Sequence, residues 1–143
     1  MQLAVLERFN DPYMQTPMGK GVFLAGVTLG FMADRLAGDE GDIAGTSIFK
    51  QIQFGRMDSN NLKRLLSRVP QWLKGYKEEL KYTGLITALT ACSQEYLLES
   101  AGEEMGVNGN FAFTSGFINA NKYFWGIFPS QKDSSNKVKP EII

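Results

Sequence analysis

Apolar residues recur at intervals of three and four along most of this chain, a helical period. In residues 19–37, GKGVFLAGVTLGFMADRLA, the spacing is kept by Val22, Gly26, Leu29, Gly30, Ala33 and Leu36. Gly26 and Gly30 each cost a helix about 1 kcal/mol relative to alanine. Their presence predicts a neighbouring helix that approaches closely. Upstream, residues 1–18 contain Pro12 and Pro17 and predict a short helix or strand leading into a loop. Downstream, GDEGDIAG (38–45) is acidic and glycine-rich and predicts a loop. A short helix is expected over 47–54, capped by Thr46 or Ser47 and ended by Gly55.

Residues 58–83, DSNNLKRLLSRVPQWLKGYKEELKYT, predict the next helical stretch. Ser59 reads as its N-cap. Pro70 should kink it or split it. On a single wheel Leu62, Leu65, Leu66, Val69, Trp72, Leu73, Tyr76 and Leu80 fill one apolar arc. Gly84 separates this segment from LITALTACSQEYLLESA (85–101). There Leu85, Leu89, Cys92, Tyr96 and Leu97 predict a second amphipathic helix. Residues 102–109 read as another loop. In NFAFTSGFINANKYFWGIF (110–128), Phe113, Phe117, Ala120 and Phe124 keep helical spacing and predict a last helix over 110–123. Its phenylalanines leave a strand pair as the alternative. The polar stretch PSQKDSSNKVKPEII (129–143) is expected to be a disordered, flexible tail. The expected fold is all-α: a compact bundle of about five helices with short loops, forming one domain over 1–128.

Composition narrows the chemistry. A chain of 143 residues is long enough to bury a core. Its single cysteine, Cys92, cannot form an intrachain disulfide and suits a reducing compartment. No basic leader precedes an apolar run, and the most apolar window is too short for a bilayer. A cytoplasmic protein without membrane contact is expected. The chain has no histidine. This excludes histidine metal ligands, Ser-His-Asp and Cys-His nucleophiles, and histidine general bases. No cofactor is expected.

The remaining motifs read more simply as structure. GKGVFLAG fits neither GxGxxG nor GxxxxGK[ST] and reads as a packing helix. Asp39, Glu40 and Asp42 lack calcium-loop spacing and read as a solvated loop. Glu95, Glu99, Glu103 and Glu104 lie on a polar face, and Cys92 reads as a buried core thiol. Phe111, Phe113, Phe117, Tyr123, Phe124, Trp125 and Phe128 read mainly as core. An exposed remainder near Trp125 would serve a protein contact.

Charge is the feature that structure alone does not absorb. The whole chain is neutral, with 15 basic and 15 acidic residues. Residues 58–83 hold six of those basic residues and three of the acids, a local balance of +3. On the single wheel Lys63, Lys74, Lys77 and Lys81 fall within about 60° of each other, beside the apolar arc. Arg64 and Arg68 take its other flank, near Glu79, which leaves the lysines as the cleaner cationic stripe. Arg56 is a further candidate. Such a stripe suits a phosphate backbone contacted without base reading. A solvated lysine face on a helical protein–protein adaptor is the competing reading.

The order of these elements resembles the C-terminal region of the large subunit of type I-B CRISPR interference complexes (Cascade). That region is also made separately as the small subunit. The residues carrying the resemblance are GVFLAGVTLGFMADRLA (21–37), SIFKQIQFGRMDSNNLKRLLSRV (47–69), LKGYKEEL (73–80) and FAFTSGFINANKYF (111–124). They are hydrophobic patterns rather than catalytic signatures. A chain of this length opening on its own methionine fits a small-subunit product, though its neutral charge departs from a strongly basic scaffold. The resemblance implies a non-enzymatic helical subunit present in several copies. Its partners would be the effector's backbone and large subunits, further copies of itself, both DNA strands of the R-loop and, indirectly, the crRNA. Lys63, Lys74, Lys77 and Lys81 would then contact phosphates, with Arg64, Arg68 and Arg56 as secondary contacts. Protein contacts would use the glycine-bearing first helix or the aromatic last one.

Overall fold

The computed structural model describes residues 1–38 and 41–131, and among these every regular element is helical. A short α1 (Ala4–Glu7) and a 3-10 turn (Pro12–Gln15) lead into α2 (Pro17–Ala37). A second 3-10 turn (Ile43–Gly45) precedes α3 (Ser47–Lys50). The chain continues through α4 (Ser59–Ser67), α5 (Val69–Gly75), α6 (Lys77–Leu80), α7 (Thr83–Glu99), α8 (Gly106–Ile118) and α9 (Ala120–Ile127). The all-α expectation is met. The expected tail lies outside the described residues except for a 3-10 turn at Pro129–Gln131.

The centre of the fold is α2. Thr16 starts it, its Oγ1 accepting from the Gly19 N–H at 3.0 Å, and Pro17 fits the first turn. Gly38, at φ +73°, follows its last residue. Every residue from 21 to 33 is buried, as befits a helix apolar on all sides and surrounded by others. It packs against α7, α8 and α9.

The two glycines of α2 serve the close approach that their cost predicts. A methyl group at Gly26 would collide with the Phe113 carbonyl oxygen of α8, and one at Gly30 with that of Phe117. The contact is reciprocal: a Cβ on Gly116 of α8 would lie 2.5 Å from the Phe23 carbonyl oxygen of α2. On the other side, Ser93 of α7 donates its hydroxyl to the Gly21 carbonyl at 2.7 Å, which satisfies a fully buried polar group.

Aromatic rings close the rest of the core. Phe31 and Phe124 stack with centroids 3.6 Å apart and planes 5° from parallel. Trp125 meets both edge-on. Arg35 lies over the rings of Phe31 and Tyr82 at 5.7 and 5.2 Å. Trp125 is therefore buried, contrary to the expected exposed remainder. The large apolar side chains that do face outward include Val107, Phe111 and Ile118 of α8 and Leu98 of α7.

Local boundaries differ from the sequence expectations for identifiable reasons. Asp58, not Ser59, caps α4, accepting from the Asn61 backbone N–H at 2.7 Å. The Ser59 hydroxyl instead donates to the Glu103 carbonyl. Gly84 lies in the first turn of α7 rather than before it. The buried line of α7 runs through Ile86, Leu89, Thr90, Ser93 and Leu97, while Leu85, Cys92 and Tyr96 are half-buried beside it. Thr90 and Ser93 hide their polarity by bonding backbone carbonyls, so a hydrophobicity pattern misplaces the face. The expected last helix is two, broken at Asn119, whose side-chain amide bonds the Ser115 carbonyl at 2.9 Å. The helix expected over 47–54 stops at Lys50.

Among the described residues one buried side-chain polar atom lacks a hydrogen-bond partner, the Tyr13 hydroxyl oxygen. Burial raises the Tyr13 pKa above its ordinary value, with Glu103 and Asp11 adding to the effect. A phenol with a raised folded pKa stabilises the fold below its unfolded pKa, near 10, and loses that contribution as pH rises through the folded value. Tyr13→Phe is expected to stabilise the protein by about 1 kcal/mol at neutral pH. It should also flatten the alkaline loss of stability. Urea unfolding of both proteins at neutral pH and above about pH 10 checks this; a less stable variant would show that the hydroxyl is satisfied.

Candidate nucleic-acid interface

Residues 58–83 do not form one helix. Arg68 closes α4, and Pro70 sits in the first turn of α5, where its missing N–H costs nothing. Tyr76, at φ −119° and ψ 40°, ends α5 before α6. Lys81 then takes a left-handed backbone at φ 53°, just before α7. Three short helices with separate axes replace the single wheel, so one wheel angle cannot align Lys63 with Lys74, Lys77 and Lys81. The apolar arc survives: Leu62, Leu65, Leu66, Val69, Trp72, Leu73 and Leu80 are all buried, with Tyr76 half out.

The expected cations are distributed over several surfaces. Lys63, Arg64, Arg68, Lys74, Lys81 and Arg56 are exposed. The Lys77 side chain lies outside what the structure describes. Lys63 borders an apolar recess of about 380 Å³ between α4 and α7, with Leu66, Leu97 and Leu98. Lys74 lies on α5 and Lys81 at the turn into α7.

Arg64 and Arg68 are brought together with a residue that sequence reasoning missed. They line a recess of about 320 Å³ with Lys50, Gln51, Gln53, Asn61 and Leu65. Three cations and three amides share this space, and its lining contains no carboxylate among the described residues. Both guanidinium groups are oriented by neutral acceptors. Arg68 Nη1 donates to Gln51 Oε1. The Asn61 amide fits its neighbours with its oxygen accepting from Arg64 Nη2 at 2.8 Å and its nitrogen donating to Asp58 at 3.0 Å. Amide oxygens fix the two forks without cancelling their charge. Glu79, expected beside the arginines, instead lines a separate recess with Asp42, Thr46, Ser47 and Tyr76. Arg64 and Arg68 thus share one cationic recess with Lys50. Sequence showed Arg64 and Arg68 four apart. Lys50, Gln51 and Gln53 come from α3 and the loop after it, and only folding adds them.

Other candidate chemistry stays apart. Glu95, Glu99, Glu103 and Glu104 are exposed. Cys92 is half-buried, and burial, then Glu95, raise its pKa, which weakens it as a nucleophile. No group of three or more Cys, Asp or Glu among the described residues is placed to hold a metal ion. No described helix is long and apolar enough to cross a membrane. Against known proteins, no curated protein and no solved structure matches this chain. One family model does, that of the CRISPR-associated protein TM1802 C-terminal domain, over residues 2–131.

Proposed function

Because this chain belongs to the family of the CRISPR-associated protein TM1802 C-terminal domain, we propose that it is a non-enzymatic small subunit of a type I RNA-guided CRISPR complex in the cytoplasm. It supports assembly and steadies the R-loop by contacting DNA backbone without reading sequence. The observation that supports DNA contact is the set of exposed cations on α4, α5 and the turn into α7, in a chain with no net charge. Exposed lysines and arginines on short helices can follow phosphates, and neutral overall charge confines such a contact to a local patch. Its partners are the backbone and large subunits, further copies of itself and the two DNA strands, with the crRNA reached indirectly.

Of the two helices first expected to meet other proteins, α2 is enclosed, while the aromatic one expected over 110–123 keeps Phe111 and Ile118 exposed. With Val107 they share one outward face of α8, at spacings of four and seven. This exposed apolar face favours protein contact there. It also supports the second reading, a helical protein–protein adaptor with no nucleic-acid contact.

Replacing Lys74, Lys77 and Lys81 together with glutamine separates the two readings. DNA binding by the assembled complex is expected to weaken alike for all sequences. Its dependence on log salt should fall by about 0.7–0.9 for each phosphate that is no longer neutralised. A salt titration that superimposes on the wild type would remove these lysines from the interface, and the same result with the arginines replaced would leave the adaptor.

A further inference from the structure

Arg68, which lines the recess between α3 and α4, also lines a second one. This neighbour is lined by Arg68, Gln71, Trp72, Gly75 and Tyr76. One side is cationic and rich in amides, the other aromatic, and a single guanidinium borders both. Tyr76 is 39% exposed, so part of its ring is free for contact. Tyr76 also lines the recess that holds Asp42 and Glu79, where a polyanion would be repelled. The Tyr76 ring is thus shared between a recess lined by Arg68 and one lined by carboxylates.

We infer that Lys50, Arg64 and Arg68 seat a phosphodiester of a single-stranded nucleic acid, and that Tyr76 stacks on an unpaired base beside it. The inference rests on the nucleic-acid reading above and deepens it by naming the site and the strandedness. Charge alone would accept duplex and single strand alike. An aromatic face next to a phosphate seat discriminates, because a duplex keeps its base faces stacked within itself. The amide-held forks matter for the same reason: they present guanidinium N–H groups in a set direction, where a free lysine offers only a mobile charge. Gln51 and Gln53 bring further donors without adding negative charge.

The test uses the full chain and a fluorescently labelled oligothymidylate at low salt, read by anisotropy. A duplex of equal length and an abasic strand serve as comparison probes. Arg64→Gln with Arg68→Gln is expected to weaken oligothymidylate binding at least tenfold, and the corresponding lysine double variant should recover only part of it. Tyr76→Ala is expected to weaken oligothymidylate binding about tenfold while leaving the abasic strand and the duplex unchanged. An oligouridylate of equal length asks whether the strand is DNA or RNA, and weaker binding on Tyr76→Ala with either supports the site. If the arginine pair has no effect while Lys74→Gln, Lys77→Gln and Lys81→Gln together abolish binding, the seat is wrong and backbone contact stands. Equal weakening on Tyr76→Ala for duplex and single strand overturns the strandedness. A wild-type chain that binds none of the probes overturns the seat, and the backbone-contact reading is then decided by the assembled complex. Circular dichroism of each variant excludes unfolding as the cause.

Discussion

Adding one methyl group at Gly26 is expected to destabilise the protein by more than about 2 kcal/mol, although alanine is the better helix former. The new Cβ would meet the Phe113 carbonyl oxygen, a backbone atom of α8. Backbone cannot rotate aside as a side chain does, so the helix pair must separate. Separation loosens the same seam at Gly30 and Gly116, since one pair of helices meets at all three positions. Gly75→Ala is the matched control. Gly75 is exposed, and a Cβ there meets nothing within 4 Å. That variant should gain about 0.5–1 kcal/mol from propensity and a less flexible unfolded chain. Urea unfolding of the two variants checks the pair. A Gly26→Ala protein as stable as its Gly75→Ala counterpart would mean that α2 and α8 do not touch backbone to backbone.

Removing the Phe124 ring is expected to cost about 3–5 kcal/mol. Phe124 is fully buried, stacks on Phe31 and is met edge-on by Trp125. Phe124→Ala leaves a cavity between rings that are each held from other sides, so collapse can fill little of it. For a chain of this length the melting temperature should fall by roughly 10 °C or more. Phe111→Ala provides the contrast. Phe111 is 71% exposed on α8, and its removal should change stability by no more than about 0.5 kcal/mol. Comparable destabilisation in the two variants would place Phe111 inside a contact that the single chain does not make. Self-association at the concentration used would then be the measurement to make.

These two predictions differ in how far sequence alone supports them. The glycine seam was legible: two glycines inside a strong helical period have few uses other than close approach, and α8 makes it. The Phe31–Phe124 stack was not. Periodicity marks both residues as core, but nothing in it says which ring of α2 faces which ring of α9. Trp125 shows the same limit from the other side. It adjoins Phe124 in sequence, and two neighbours on an amphipathic helix need not share a face. It is buried because Tyr82 and Phe31 also reach it.

The candidate interface divides similarly. The charge excess over 58–83 needs only counting, and Pro70 announces a break. The orientation of the charges after the break could not be read. A wheel assumes a continuous axis, and the chain leaves that axis at Arg68 and again at Tyr76. Glu79, near Arg64 and Arg68 on paper, belongs to another recess once α5 and α6 have turned.

What the sequence by itself determined is therefore the helical class, the close helix approach at Gly26 and Gly30, the buried arc of α4–α6 and the region that gathers positive charge. Each follows from spacing within one segment, where local geometry ties position to direction. The tertiary structure alone decided that Lys50, Gln51 and Gln53 join Arg64 and Arg68 around one recess, and that Val107, Phe111 and Ile118 are the side chains of α8 that face outward. Those outcomes depend on how separate helices are placed against one another. That placement is set by packing across the core, which no single stretch of sequence contains.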